Sequence, residues 1–250
     1  MSQTIAQLRE TLRRIEGDGY QRRPSLPFGH PAMDAKLAQE GLRLDALHEV
    51  AARPPCLGDD ASATLFMAGI AARAWGPVLW VVRRRDLFAP GLYQAGLAPH
   101  RVLYAEARDD AELLAVMEEG LRHRGLGAVI GEAKRAGLAA TRRLQLAAEG
   151  GRTIALLLKQ HARDGADPIG QPSAAVTRWR VGSAPSAPLP REELGGIGRA
   201  RWRVELVRQK GGEPFEMIVE ACDETGRVGV VPRMAAGPAA SRRTRAAGAG

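Results

Sequence analysis

The residues that could do chemistry in this chain are few, and their spacing works against the commonest reaction of an alternating fold. In such a fold the loop after the first core strand usually binds phosphate. Here that loop is residues 51–62, AARPPCLGDDAS, leading into a helix. A phosphate loop needs glycines for close backbone approach, a lysine for the β- and γ-phosphates, and a serine or threonine for magnesium. This loop offers one glycine, Gly58, and one hydroxyl, Ser62, and no lysine lies between Lys36 and Lys134. Asp59 and Asp60 put two negative charges where a phosphate would sit. At ~5 Å and an effective dielectric of ~20, each repulsion would cost about 3 kcal/mol, less where solvent screens it. The strand expected at 77–82 ends in Arg83, Arg84 and Arg85, with no carboxylate to orient a water. Glu132, just after the strand expected at 126–130, is the one acid placed like a magnesium-holding carboxylate. A lone glutamate there also reads as solvated or as a cap.

Other chemistries find even less. His30, His48, His100, His123 and His161 show no metal-ligand spacing. Cys56 and Cys222 stand far apart without companion ligands. No G-x-S-x-G elbow occurs. The expectation is a chain with no catalytic residue, no metal and no cofactor of its own.

The elements that must position these residues alternate. A short helix is expected over 33–37, a strand over 44–50, a helix over 61–75 and strands over 77–82 and 101–105. A helix over 109–123, a strand over 126–130, a helix over 141–149 and a strand over 153–158 follow. This order predicts an α/β domain with a mainly parallel central sheet and right-handed crossovers. Beyond residue 174 the period becomes two, in AVTRWRV at 175–181, RARWRVELVR at 199–208 and FEMIVEA at 215–221. No helix intervenes, so these strands should extend the sheet in antiparallel fashion, with the Pro-rich stretch 182–198 as a loop.

Two flanking segments differ. Residues 1–23 hold an amphipathic helix with Ile5, Leu8, Leu12 and Ile15 on one stripe, followed by a Gly- and Pro-containing linker. That helix could pack on its own domain or dock on a partner. Residues 233–250 are mostly Ala, Gly and Arg, without an acid, and read as disordered. The core is thus expected over 24–232.

The 250 residues carry 36 Lys+Arg against 28 Asp+Glu, a formal charge of +8, with 45% hydrophobic residues. That composition belongs to a folded domain with an ample core. The start lacks a signal-peptide h-region, and no apolar run reaches the ~18 residues of a membrane span. The reading is a soluble cytoplasmic protein. The charge is local. Residues 24–177 hold 18 basic and 17 acidic residues, whereas 178–210 hold eight and three, and the tail four and none. The basic stretch before Lys210 is a candidate protein contact. The tail could touch DNA weakly and without sequence preference.

These pieces resemble a RecA-type core, and more closely the ImuA family of RecA-like accessory proteins from bacterial SOS mutagenesis operons. The resemblance is carried by LPFGHPAMD at 26–34, GLRLDALHEV at 41–50, GPVLWVV at 76–82, LFAPGLYQAGL at 87–97, RRLQLAAEGG at 142–151 and AVTRWRV at 175–181. It implies that Gly58 to Thr64 replaces the phosphate loop without its lysine. Arg84 then stands near the position of the catalytic glutamate, Glu132 at the magnesium-site acid and Gln160 at the γ-phosphate-sensing glutamine. The first DNA-binding loop, between Glu132 and the helix near Thr141, comes out deleted, and the second, over 161–174, shortened. Arg208-Gln209-Lys210 is similar to a basic segment that reaches the ATP of a neighbouring subunit in RecA filaments, although on sequence alone a solvated strand end is the favoured account of it.

The resemblance implies a non-catalytic, degenerate ATPase in SOS-induced error-prone translesion synthesis, working in the cytoplasm at the nucleoid. Its implied partners are RecA and ImuB and, through ImuB, an error-prone replicative-type polymerase and a sliding clamp. The alternatives are a residual ATP-dependent DNA-binding RecA paralogue, using Gly58, Ser62, Thr64 and Glu132, and a cell-division inhibitor of the SulA type.

Overall fold

The computed structural model describes residues 23–53, 57–161, 166–186 and 198–231. The N-terminal stripe of Ile5, Leu8, Leu12 and Ile15, Cys56 and the tail from 232 lie outside the described residues.

A two-stranded antiparallel ribbon, β1 (Ser25–Leu26) with β2 (Leu42–Arg43), brackets α1 (Pro31–Asp34). Pro31 suits the first turn of α1, and the His30 ring accepts the Met33 amide as its cap. This helix begins two residues before the expected one and stops at Asp34, whose carboxylate turns back to accept the amides of Phe28, Gly29 and His30.

Then the alternation starts. It runs β3 (Leu47–Ala52), α2 (Leu57–Arg73), β4 (Val78–Val82), α3 (Ala89–Gln94), β5 (Val102–Glu106), α4 (Asp110–Arg122), β6 (Ala128–Ala133), α5 (Leu138–Gly151) and β7 (Ile154–Lys159). Three long strands, β8 (Thr177–Ala184), β9 (Arg201–Gln209) and β10 (Phe215–Glu220), complete the chain. One eight-stranded sheet results, in the order β10-β9-β8-β3-β7-β6-β4-β5. It is parallel from β8 to β5 and antiparallel across β8, β9 and β10. The expected α/β architecture with an antiparallel extension is therefore the observed one.

Burial explains the placement. In β3, β6 and β7 every residue is buried, as strands covered on both faces require. One face packs against α2, where Phe28, Phe66, Trp179 and Trp202 meet with ring centroids 5.5–6.3 Å apart. The other face packs against α4 and α5, with Leu113, Met117, Leu144 and Leu157 fully enclosed.

Two segments depart from the sequence reading. Gly182, Ser183 and Ala184, expected in a loop, continue β8, because each pairs with β9. A short helix, α3, was not expected. Its Pro90 sits in the first turn, where a missing amide costs nothing.

Candidate functional site

The parallel strands end at one edge of the sheet, and there the suspected residues collect. α2 begins at Leu57, four residues before the expected start. Gly58, Asp59, Asp60, Ser62 and Thr64 therefore lie on its first two turns rather than in an open loop. The physical reason is the pair of acids, which complements the positive end of the helix dipole. Asp59 is also bound sideways. Its Oδ1 accepts the Ser183 amide at 2.6 Å and the Ser183 hydroxyl at 2.8 Å, which fastens α2 to β8. The Ser62 hydroxyl donates to the Gly58 carbonyl at 2.8 Å, within the helix. Desolvation, with Asp59 beside it, raises the Asp60 carboxyl above its ordinary range, while His161 acts in the opposite sense.

Gly58 has no glycine task. A Cβ there would meet only Ser183, at 3.6 Å from its Oγ, an ordinary contact. Gly58→Ala is expected to change the unfolding free energy by no more than about 0.5 kcal/mol in urea titrations. A backbone that had to hug a phosphate would not tolerate the methyl so easily.

Glu132 lies inside β6 rather than after it, and it is buried. Its Oε1 accepts the Trp80 indole N–H from β4 at 2.8 Å, and its Oε2 accepts the Gln160 side-chain N–H at 3.1 Å. Gln160 follows β7, and its own amide donates to the Ala133 carbonyl. The carboxylate thus spans three neighbouring strands and is neither solvated nor a cap. Burial pushes its pKa up against the lowering effect of the two hydrogen bonds. Both oxygens are occupied by the chain itself.

Arg84 is exposed in the bend after β4. Its neighbour Arg83 pairs with Asp110 at 3.3 Å, and Arg85 pairs with Glu106. The link from β6 to α5 is only residues 134–137, held by the Asp110 carboxylate, which accepts the Lys134 and Arg135 amides.

At the far end of β9, Gln209 is buried. It accepts the Ala38 amide and donates to the Lys36 and Glu213 carbonyls at 2.9 and 2.6 Å. Arg208 and Lys210 flank it and are exposed. The basic stretch around them is less basic in space than in sequence. Arg180 and Arg53 share Glu205, and Arg53 and Arg203 share Glu216 of β10. Strand pairing therefore neutralises most of that charge.

A second polar cluster went unnoticed in the sequence. Glu49 on β3 is fully buried, with Arg178 Nε of β8 at 2.7 Å and the Ser173 hydroxyl at 2.7 Å. Lys159, also buried, donates to the Ala136 carbonyl at 3.2 Å, and burial lowers its pKa. On the opposite face of β3, His48 Nδ1 meets Thr177 Oγ1 at 2.7 Å and Nε2 meets the Arg43 carbonyl at 2.8 Å. The signal was present: LHEVAA places a histidine and a glutamate inside a strand that must be enclosed on both faces.

No protein-family model matches the chain. The crystal structure of the RadB recombinase superposes with a TM-score of 0.57 at 15% identity, over 83% of this chain and all of that one. A likeness at that identity shows the fold, which is RecA-like. Protein ImuA from two strains of Caulobacter vibrioides is 40% identical over 208 residues, 79% of this chain and 84% of that protein. Identity of that depth across most of both chains, on a RecA-like sheet, places the chain in the ImuA family.

Proposed function

We propose that the chain is a non-catalytic RecA-like accessory protein of SOS-induced translesion synthesis, acting by binding RecA and ImuB. Through ImuB it would join an error-prone polymerase and a sliding clamp at the nucleoid. The core over 24–232 would carry the binding surfaces. The observation that supports this reading is the state of the nucleotide end. Asp59 is bonded to Ser183, Ser62 to Gly58, and Glu132 to Trp80 and Gln160. Asp59, Ser62 and Glu132, three of the groups that would face a phosphate or magnesium, are thus committed inside the chain. Arg208 and Lys210, by contrast, remain exposed at a strand end, available to a neighbouring molecule.

The test has two arms. Purified protein heated with millimolar MgATP is expected to unfold at the same temperature as without it. A ligand at about 100 times its dissociation constant would add ~2.7 kcal/mol, so a clear upward shift would favour the residual ATPase instead. In pull-downs, the wild-type chain is expected to retain RecA and ImuB, and Arg208→Glu with Lys210→Glu to lose RecA. RecA binding unchanged by that reversal would remove these residues from the contact.

A further inference from the structure

We propose that the outer face of α5, continued by the end of β9, is a docking surface for an acidic amphipathic protein segment. The inference rests on the partner-binding reading above and supplies a surface and the chemistry of its occupant.

The helix itself points outward with the wrong residues for plain solvent. Leu138 is 44% and Leu146 65% exposed, and Arg142 stands between them at four-residue spacing. The three make one stripe, about 12 Å long at 1.5 Å per residue. β9 reaches the same surface. Arg208 Nη1 donates to the Ser173 carbonyl at 3.4 Å, and the next amide, Ala174, donates to Thr141 Oγ1 of α5 at 3.2 Å. Only that short stretch of chain separates Arg208 from the turn of α5 that carries Arg142. Lys210 adjoins it through its amide, which donates to the Val176 carbonyl at 2.9 Å.

The charge here is unlike that on the rest of the sheet. Arg53, Arg180 and Arg203 are each in an ion pair, whereas Arg142, Arg208 and Lys210 are in none among the described residues. The stretches that build the surface, 134–148, 168–184 and 206–212, contain no acidic residue. Glu149, Asp167 and Glu205, which border these stretches, are paired with other arginines, and Glu213 makes no ion pair with Lys210 among the described residues. Three exposed cations are thus left without an ion pair, and an acidic partner complements them.

The surface is also preformed. Ser173 is held by the buried Glu49, Ala174 by Thr141, and the residues ahead of α5 by Lys159 at the Ala136 carbonyl. Binding would not have to order these segments, which removes one of its usual costs.

The two leucines decide the class of partner. A phosphate backbone would satisfy the cations and leave Leu138 and Leu146 wet. A helix carrying Glu or Asp beside a leucine stripe satisfies both, in the manner of helix-against-helix recognition.

The experiment is a titration of the full chain, followed by NMR, with a synthetic amphipathic peptide of Leu and Glu and separately with a short oligothymidylate. The peptide is expected to shift signals over 138–146, 173–174 and 208–210, in a saturable way. Leu146→Asp and Arg142→Glu should each weaken it about tenfold or more, with sheet signals unchanged. A peptide that shifts nothing or other residues, or two substitutions without effect, overturns the proposal. So does saturable binding of the oligothymidylate alone at this surface. Failure of the wild-type chain to capture RecA and ImuB would instead sink the partner-binding reading and leave the peptide map to decide this surface.

Discussion

Arg178→Met is expected to lower the unfolding free energy by roughly 3–5 kcal/mol, the largest loss for any single polar substitution in the chain. The reason lies in Glu49. It sits on β3, the middle of the sheet, with β7 on one side and β8 on the other, and its side chain is 0% exposed. Arg178 supplies the charge-assisted bond at 2.7 Å, and Ser173 satisfies the second oxygen. Methionine fills much of the same volume but leaves a buried carboxylate without its hydrogen-bonded cation. Lys159, whose charge interacts with Glu49, donates to the Ala136 carbonyl. The loss should appear as a lower urea midpoint with an unchanged slope. Changing Glu49, Lys159 and Arg178 together to Leu, Met and Met should restore most of the stability, because the expense lies in the unpaired charge rather than in the missing bond. A single Arg178→Met costing under about 1 kcal/mol would show that the Arg178–Glu49 pair does not carry this stability.

This cluster also marks where sequence reading reaches its limit. β4 was legible, since VLWVV is an uninterrupted apolar run, and so was the switch to period two after residue 174. Glu132 could be found by its position at a strand end. Its role could not, because Trp80 and Gln160 reach it through the strand order β4-β6-β7, which separates neighbours in space by tens of residues. Glu49 and Arg178 are likewise 129 residues apart. The start of α2 was misplaced because Gly58 and the prolines before it suggest a loop. Two acids in the first turn, one of them fastened to Ser183, outweigh that tendency. Gly182 to Ala184 lack strand-forming side chains and become strand only because β9 pairs with them. Sequence pattern reports local preference. The charge-neutralised face of β8, β9 and β10 shows the same limit, since its basic and acidic stretches cancel only after the strands align.

The second large effect is a loss of stability in mild acid, carried by His48. Burial lowers its pKa from 6.5 to about 4, opposed by its bond to the Arg43 carbonyl and by Asp45, and reinforced by the Arg43 charge. The contacts explain why it stays neutral. The Trp179 indole N–H donates to Thr177 Oγ1 at 2.7 Å, so the threonine hydroxyl is free to donate to His48 Nδ1. Nε2–H then donates to the Arg43 carbonyl. A second proton on the ring would face the threonine proton and would break this chain. The folded protein therefore refuses a proton that the unfolded chain accepts. With a folded pKa below the unfolded one, stability is full above pH 6.5, falls as pH drops towards 4 and is flat below. The loss is about 2 kcal/mol at pH 5 and about 3 kcal/mol at the lower limit, at 1.36 kcal/mol per unit. Glu216, held low by Arg203 and Arg53, and Asp167, held low by the Ile169 amide and Arg180, lie below the usual carboxylate range. Glu132 and Asp60, raised by burial, act in the opposite sense to His48 as the pH falls, so the difference between wild type and His48→Gln isolates the histidine. His48→Gln keeps a donor for the Arg43 carbonyl and removes the titration. Its urea midpoint should be lower than wild type at pH 7 and should stay level down to pH 5, while the wild-type midpoint falls. Parallel pH profiles for the two proteins would show that the acid sensitivity arises elsewhere.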